Sequence, residues 1–272
     1  MRLSLASWSV PRLTLPEAAE VALALGIGAL DISTKGRPGL DKAEILADPR
    51  AAADRVRRLG VACPNYFHHF GADHADRNLA LPGSVEANAR DLAQVLTFCD
   101  AAGIGTVFVL PGRVNPGQSR AEALEAAADS LSALLAVARD FAAELCIEPV
   151  VHSVADSPAA VRALVDRTGV RLALDPSHLI CLGHPQETIE PLAAHAAHVH
   201  LRQARPGALQ ARMAEGTIDF PAFFAALRQA GYDGALAIEY LHPVGPHGYT
   251  EDVLTETVAM RDAFRAWADG GA

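Results

Sequence analysis

The sequence predicts a (β/α)8 barrel, and three observations carry that prediction. Its 272 residues suit such barrels, which run to ~250 residues. Strand-like apolar runs alternate with helix-like segments eight times over, the pattern of parallel strands joined by right-handed crossovers. The turn after the first run, Trp8-Ser9-Val10-Pro11-Arg12, holds no glycine, whereas a doubly wound sheet is expected to carry a glycine-rich phosphate turn there. Half of the residues are hydrophobic, which supplies a large core. No linker or low-complexity stretch interrupts the chain, so residues 1–272 read as one domain.

Each element has its signal. Leu3–Ser9 reads as the first strand, followed by a helix from Thr14 to Leu25. Thr14-Leu15-Pro16-Glu17 opens that helix with a threonine cap, an early proline and a glutamate three residues on. Gly28–Ser33 and Val61–Phe67 read as the second and third strands, with helices over Pro49–Leu59 and Ser84–Ala102. Thr106–Leu110 is the fourth strand and Arg120–Ala143 its helix. Leu145–Val151, Val170–Asp175, His198–Leu201 and Ala235–Tyr240 complete the strands. Their helices are Ser157–Asp166, Pro185–Ala194, Phe220–Ala230 and Thr250–Ala268. Glycines at Gly26, Gly60, Gly103 and Gly231 close helices with a left-handed stop. Those turns belong to the bottom of a barrel, and the strand-to-helix loops to the top, where barrel enzymes keep their chemistry.

Composition narrows the function. The net charge is -9, and the one basic cluster, Arg55-Val56-Arg57-Arg58, reads as a solvated helix face, so no nucleic-acid partner is expected. No run of ~18 apolar residues is free of charges and breakers, so no membrane span is expected either. The N-terminus reads as a strand rather than a secretory signal. Cys63, Cys99, Cys146 and Cys181 form no C-x-x-C pair and lie in apolar segments; buried free thiols and a cytoplasmic location are expected.

The chemistry stands at the strand ends. Strand five runs Leu145-Cys146-Ile147-Glu148, strand six Leu172-Ala173-Leu174-Asp175, strand seven His198-Val199-His200 and strand eight Leu236-Ala237-Ile238-Glu239. Each brings an ionisable group to a position that a barrel strand ordinarily fills with Val, Leu or Ile. Three carboxylates converging in a barrel mouth repel one another unless a cation neutralises them. Glu148, Asp175, His200 and Glu239 are therefore expected to hold one divalent metal. Three oxygens and one imidazole suit Mn²⁺, Mg²⁺ or Co²⁺ best and also admit Zn²⁺.

These segments resemble the xylose-isomerase-like barrels, the sugar phosphate isomerase/epimerase group. The resemblance rests on Ile147-Glu148-Pro149, Leu174-Asp175-Pro176-Ser177-His178, His198-Val199-His200-Leu201-Arg202, Gly216-Thr217-Ile218-Asp219-Phe220 and Gly231-Tyr232-Asp233-Gly234 running into Ile238-Glu239-Tyr240. It implies the same four metal ligands, Glu148 and Glu239 as the acid/base pair on opposite sides of the substrate, and His178 as a donor to a substrate oxygen. The implied activity is isomerisation or epimerisation of a small sugar or polyol through a metal-stabilised enediolate. Ketose epimerases place an acidic residue soon after the metal histidine; here the segment is Leu201-Arg202-Gln203-Ala204-Arg205, a departure from that substrate set.

Around this set, His152 is expected to reach substrate from the loop after strand five, and Arg202 or Arg205 to bind a hydroxyl, carboxylate or phosphate. His69, in a run with His68 and His74, is a candidate for pocket lining. Trp8 is a candidate apolar wall for a sugar face. His242 and His247 could cap the site from the loop after strand eight. His198 is expected to face away from His200 and pack under the helices. Specificity is expected in loops 35–42, 68–81, 112–119 and 245–250.

Rival readings leave signatures. A three-zinc apurinic-site endonuclease needs an Asp-x-His pair after strand seven and a histidine on strand four; Pro206–Met213 and Val107–Pro111 have neither. The metal site is thus expected to be mononuclear. A lyase that expels a β-substituent after enolisation would use the same ligands, and a non-catalytic sugar-binding barrel would have no need of them. A homo-oligomer is compatible with the sequence.

Overall fold

The computed structural model describes residues 1–34, 40–242 and 249–270. The chain runs β1 (Arg2–Ala6), α1 (Leu15–Ala24), β2 (Leu30–Ser33), α2 (Lys42–Ala47), α3 (Pro49–Arg57), β3 (Asn65–Phe67), α4 (Val85–Ala102), β4 (Thr106–Val109) and α5 (Arg120–Ala138). It continues with β5 (Glu144–Ile147), α6 (Pro158–Thr168), β6 (Arg171–Leu174), α7 (Pro176–Cys181), α8 (Gln186–Ile189), β7 (Ala196–Leu201), α9 (Phe220–Gln229), β8 (Ala235–Ile238) and α10 (Val253–Gly270). All eight strands pair in parallel, in sequence order, and β8 returns to β1. Leu5 of β1 is registered against both Leu30 and Ile238, which closes the barrel.

The helix starts follow their sequence signals. Thr14 and Glu17 form a reciprocal capping box on α1, as do Ser119 and Glu122 on α5. Helix α4 stops at Gly103, whose φ of +74° ordinary side chains rarely adopt.

β3 and β5 are shorter than the runs Val61–Phe67 and Leu145–Val151 expected for them, and three further segments differ in kind. The first strand ends at Ala6, and Ser7–Ser9 forms a single 3-10 turn that carries Trp8 over the barrel mouth. The short helix α2 stands on its own Asp41–Glu44 capping box before α3. The helical stretch expected over Pro185–Ala194 divides into α8 and a 3-10 segment, Glu190–His195, with Pro191 early in that segment. Ahead of it, α7 begins at once after β6, because Asp175 accepts from Ser177 N at 2.8 Å and Pro176 is pre-set for a first turn.

The core has two zones. Leucine, valine, isoleucine and alanine fill the shell between strands and helices. Inside the barrel a small cluster of Phe108, Cys146 and Ala173 packs with Trp8, Phe67 and Ala197. Ser4, Asp31, Asn65 and His198 make much of the rest of that interior polar. Segment 203–219 is held against the barrel top by Gln203, whose side chain bonds both Ile218 N and Ile218 O. Gly216 is required there, since a Cβ would sit 2.1 Å from Gln203 Cγ.

Candidate metal centre

Side chains alternate along a strand, so residues two apart share a face. Cys146 and Ala173 point into the barrel; Glu148 and Asp175, two residues later, follow them to the mouth. His198 is registered beside Ala173, and His200 beside Ala237, so both histidines also point inward. This corrects the expectation that His198 faces away from His200: positions i and i+2 lie on one side of a strand. Their rings meet edge to face at 5.1 Å.

Glu148, Asp175, His200 and Glu239 converge with one candidate ligand atom each, all within 4.8 Å of one another. They are between 0% and 6% exposed. His200 Nδ1 lies 2.6 Å from Glu148 Oε1 and 3.3 Å from Glu239 Oε2. Burial disfavours a charged imidazole here, but the carboxylates of Glu148, Glu239 and Asp175 outweigh it and push its pKa up to about 10. Burial would raise Asp175, yet Arg202, His178 and His200 together hold its carboxyl below the usual range. Glu239 Oε2 is buried without a hydrogen-bond partner among the described residues. An unsatisfied carboxylate oxygen facing two further acids and an imidazole is a donor set that fits a divalent cation. These four residues could hold one.

Trp8 has a role beyond an apolar wall. Its indole N–H donates to Glu239 Oε1 at 2.6 Å, which fixes the carboxylate and leaves Oε2 turned to the cluster. The ring itself lies 5.9 Å from Phe67, 6.1 Å from Phe108 and 5.9 Å from His200.

Arg202, two residues beyond His200, is wholly buried at 1% exposure. Its Nε donates to Ser177 Oγ at 2.8 Å and its Nη2 to Asp175 Oδ2 at 2.7 Å. His178 stands beside it, with Nδ1 accepting from Val151 N at 3.1 Å. Burial, reinforced by the Arg202 charge, pushes the His178 pKa down to about 4.

Other candidates stay apart from the cluster. His152 is exposed, and its φ of +64° turns the chain outward after β5. Arg205 is exposed in a tight turn closed by Ala208. Neither reaches the buried group, because both follow their strand end by several residues. His69 sits at the rim, edge-on to Phe67 at 5.2 Å and to His74 at 4.3 Å. His68 packs on the other side, against Tyr66 and Phe70. His242 is half-buried, while His247 and positions 35–39 and 245–248 of the specificity loops lie outside the described residues.

Sequence reasoning missed the polar floor under the site. Asp31 of β2 accepts from Ser4 Oγ at 2.5 Å and from Asn65 Nδ2 at 3.1 Å, and its Oδ2 lies 2.6 Å from His198 Nε2. Burial opposes its charge, but His198, His200 and Ser4 outweigh that and lower its pKa. Asp31, His198 and His200 also offer ligand atoms within 4.8 Å of one another. The available signal was an aspartate inside the apolar run Leu30-Asp31-Ile32.

Residues 19–262 match the family described as xylose isomerase-like TIM barrel. A 2-oxo-tetronate isomerase of Pectobacterium atrosepticum is 26% identical over 186 residues, covering 64% of this chain and 68% of that protein. Among solved structures, an L-ribulose 3-epimerase gives a TM-score of 0.76 at 16% identity, covering 99% of this chain and 95% of that one. The IOLI protein, solved with a binding zinc atom, gives 0.75 at 15% identity, covering 99% of both chains. At these identities the two structures speak for the shared fold.

Proposed function

Since the chain belongs to the xylose isomerase-like TIM barrel family, we propose that it is a divalent-metal-dependent isomerase or epimerase of a small keto-sugar or keto-polyol, moving a proton next to a carbonyl. One observation carries this reading: four consecutive strands deliver Glu148, Asp175, His200 and Glu239 to one buried point. A divalent cation held by them would polarise a carbonyl oxygen and stabilise the negative charge of an enediolate.

The chain's own residues would do the rest. Glu239, fixed through Oε1 by Trp8, would take or return a proton through Oε2. Glu148 meets the same His200 Nδ1 and would serve the opposite face of the reacting carbon. One acid suffices to shuttle a proton between adjacent carbons, whereas two facing acids allow inversion at one carbon. Trp8, Phe67 and Phe108 would cover the apolar face of the substrate and exclude water. The substrate in the relative's name, a 2-oxo-tetronate, has the required carbonyl beside a C–H bond.

The test is product analysis in D₂O, on a panel of ketoses, keto-inositols and oxidised glycosides with Mn²⁺, Co²⁺, Mg²⁺ or Zn²⁺. An isomeric product with one deuterium at the reacting carbon is expected. Loss of water or of an aglycone would assign a lyase instead, and full turnover after chelation would overturn the reading. Glu239→Gln is expected to lower turnover ~10²–10⁴-fold, the usual worth of an acid/base group.

A further inference from the structure

We propose that the substrate is an oxo acid, its carboxylate held by a paired donor made of Arg202 and His178. This rests on the isomerase reading above and narrows its substrate class.

The hydrogen-bond inventory is incomplete at this point in the fold. Arg202 Nη1 is buried and has no partner among the described residues. A guanidinium has donors only, and an idle buried donor pair is costly. The second defect is in His178. Its Nδ1 accepts from Val151 N, so in the neutral ring the proton resides on Nε2; in the charged ring Nε2 carries one as well. Nε2 therefore donates in either state. Yet it lies 2.8 Å from Arg202 Nη2, which is also a donor. Asp175 Oδ2 lies 2.7 Å from Nη2 but 3.6 Å from Nε2, beyond hydrogen-bond reach, so Nε2 has no acceptor among the described residues and the two donors are set side by side for an oxygen that both can reach. A carboxylate supplies two such oxygens in one plane, the shape that a guanidinium fork binds best.

Charge agrees with shape. Three ligand carboxylates around one divalent cation leave one negative charge, and a neutral ketose would tolerate that. An anionic substrate would be repelled. The buried Arg202 cancels the excess, lying 2.7 Å from Asp175 Oδ2 and 3.8 Å from Glu239 Oε2. The substrate's carboxylate at Arg202 and His178 would then stand beside the acids that work on the neighbouring carbonyl.

The test is calorimetry on the Mn²⁺-loaded protein with matched pairs of three to six carbons. Each pair is a 2-oxo hydroxy acid and the neutral ketose of the same length, such as 2-oxo-tetronate and erythrulose. The best oxo acid should bind ~10²-fold more tightly than its neutral partner, the order of a buried charge-assisted pair. Arg202→Met should collapse that ratio toward one. Arg202→Lys, which keeps the charge beside Asp175 and loses the fork, covers the case in which Met fails to fold, and should cut the ratio ~tenfold. Equal affinity within every pair, no binding of any oxo acid, or an unchanged ratio in both variants would overturn the proposal. Turnover of the neutral ketoses alone would sink it and leave the isomerase reading standing. Tight oxo-acid binding through Arg202 without proton exchange would do the reverse.

Discussion

Binding a divalent cation should expel one proton from His200, and the size of that effect follows from the geometry. The imidazole is held charged by Glu148 at 2.6 Å and Glu239 at 3.3 Å, with its pKa pushed up to about 10. A cation at the same four residues needs the imidazole lone pair, so the proton must leave. At pH ~7.5 that costs about 2.5 pH units, or about 3 kcal/mol at 1.36 kcal/mol per unit. The other groups contribute little: Asp175 is lowered and already ionised, and His178, pushed down to about 4, is already neutral. Apparent affinity should therefore rise about tenfold per pH unit, or roughly a hundredfold between pH ~6.5 and ~8.5. Mn²⁺ titration by calorimetry at several pH values, in buffers of unlike ionisation heat, measures both affinity and proton release. About one proton per ion is expected. Affinity independent of pH, with no proton released, would refute His200 as a charged group displaced by metal.

The same raised pKa sets the stability of the metal-free protein. His200 contributes stability in full below its unfolded value of ~6.5, and loses it as pH rises through about 10; the melting temperature after chelation should fall between pH ~8 and ~10, and a flat profile would count against its ion pairs with Glu148 and Glu239. Trp8→Phe keeps an aromatic wall and removes the N–H bonded to Glu239 Oε1. Loss of a buried bond to a charged acceptor is worth ~1.5–3 kcal/mol, so kcat should drop ~10–100-fold with KM little changed; equal kcat in the folded variant would refute the positioning role. Asp31→Ala strands the donors of Ser4 and Asn65 and leaves His198 unpaired. It should cost ~3–5 kcal/mol in urea unfolding, and Asp31→Asn, which keeps one acceptor, should cost less.

The sequence by itself determined the barrel and the cluster of four ionisable residues at its mouth. Eight alternating segments admit few topologies, and strand periodicity alone brings Glu148, Asp175, His200 and Glu239 to one face and one end. Periodicity also placed His198 inward, since it stands two residues before His200; the opposite expectation misapplied the period rather than lacking a signal. Three things belonged to the tertiary structure alone. The bond from Trp8 to Glu239 joins residues 231 positions apart, and only barrel closure makes them neighbours. Asp31 finds His198 across the barrel floor, from β2 to β7, for the same reason. His152 and Arg205 looked as promising as Arg202 in the sequence, but strand alternation fixes a direction only within a strand. Arg202 continues the inward face of β7 and is buried, whereas His152, at a φ of +64°, and Arg205, in the turn closed by Ala208, are exposed. A strand end can be read from the pattern of its residues, but the direction of a loop is decided by what packs beneath it.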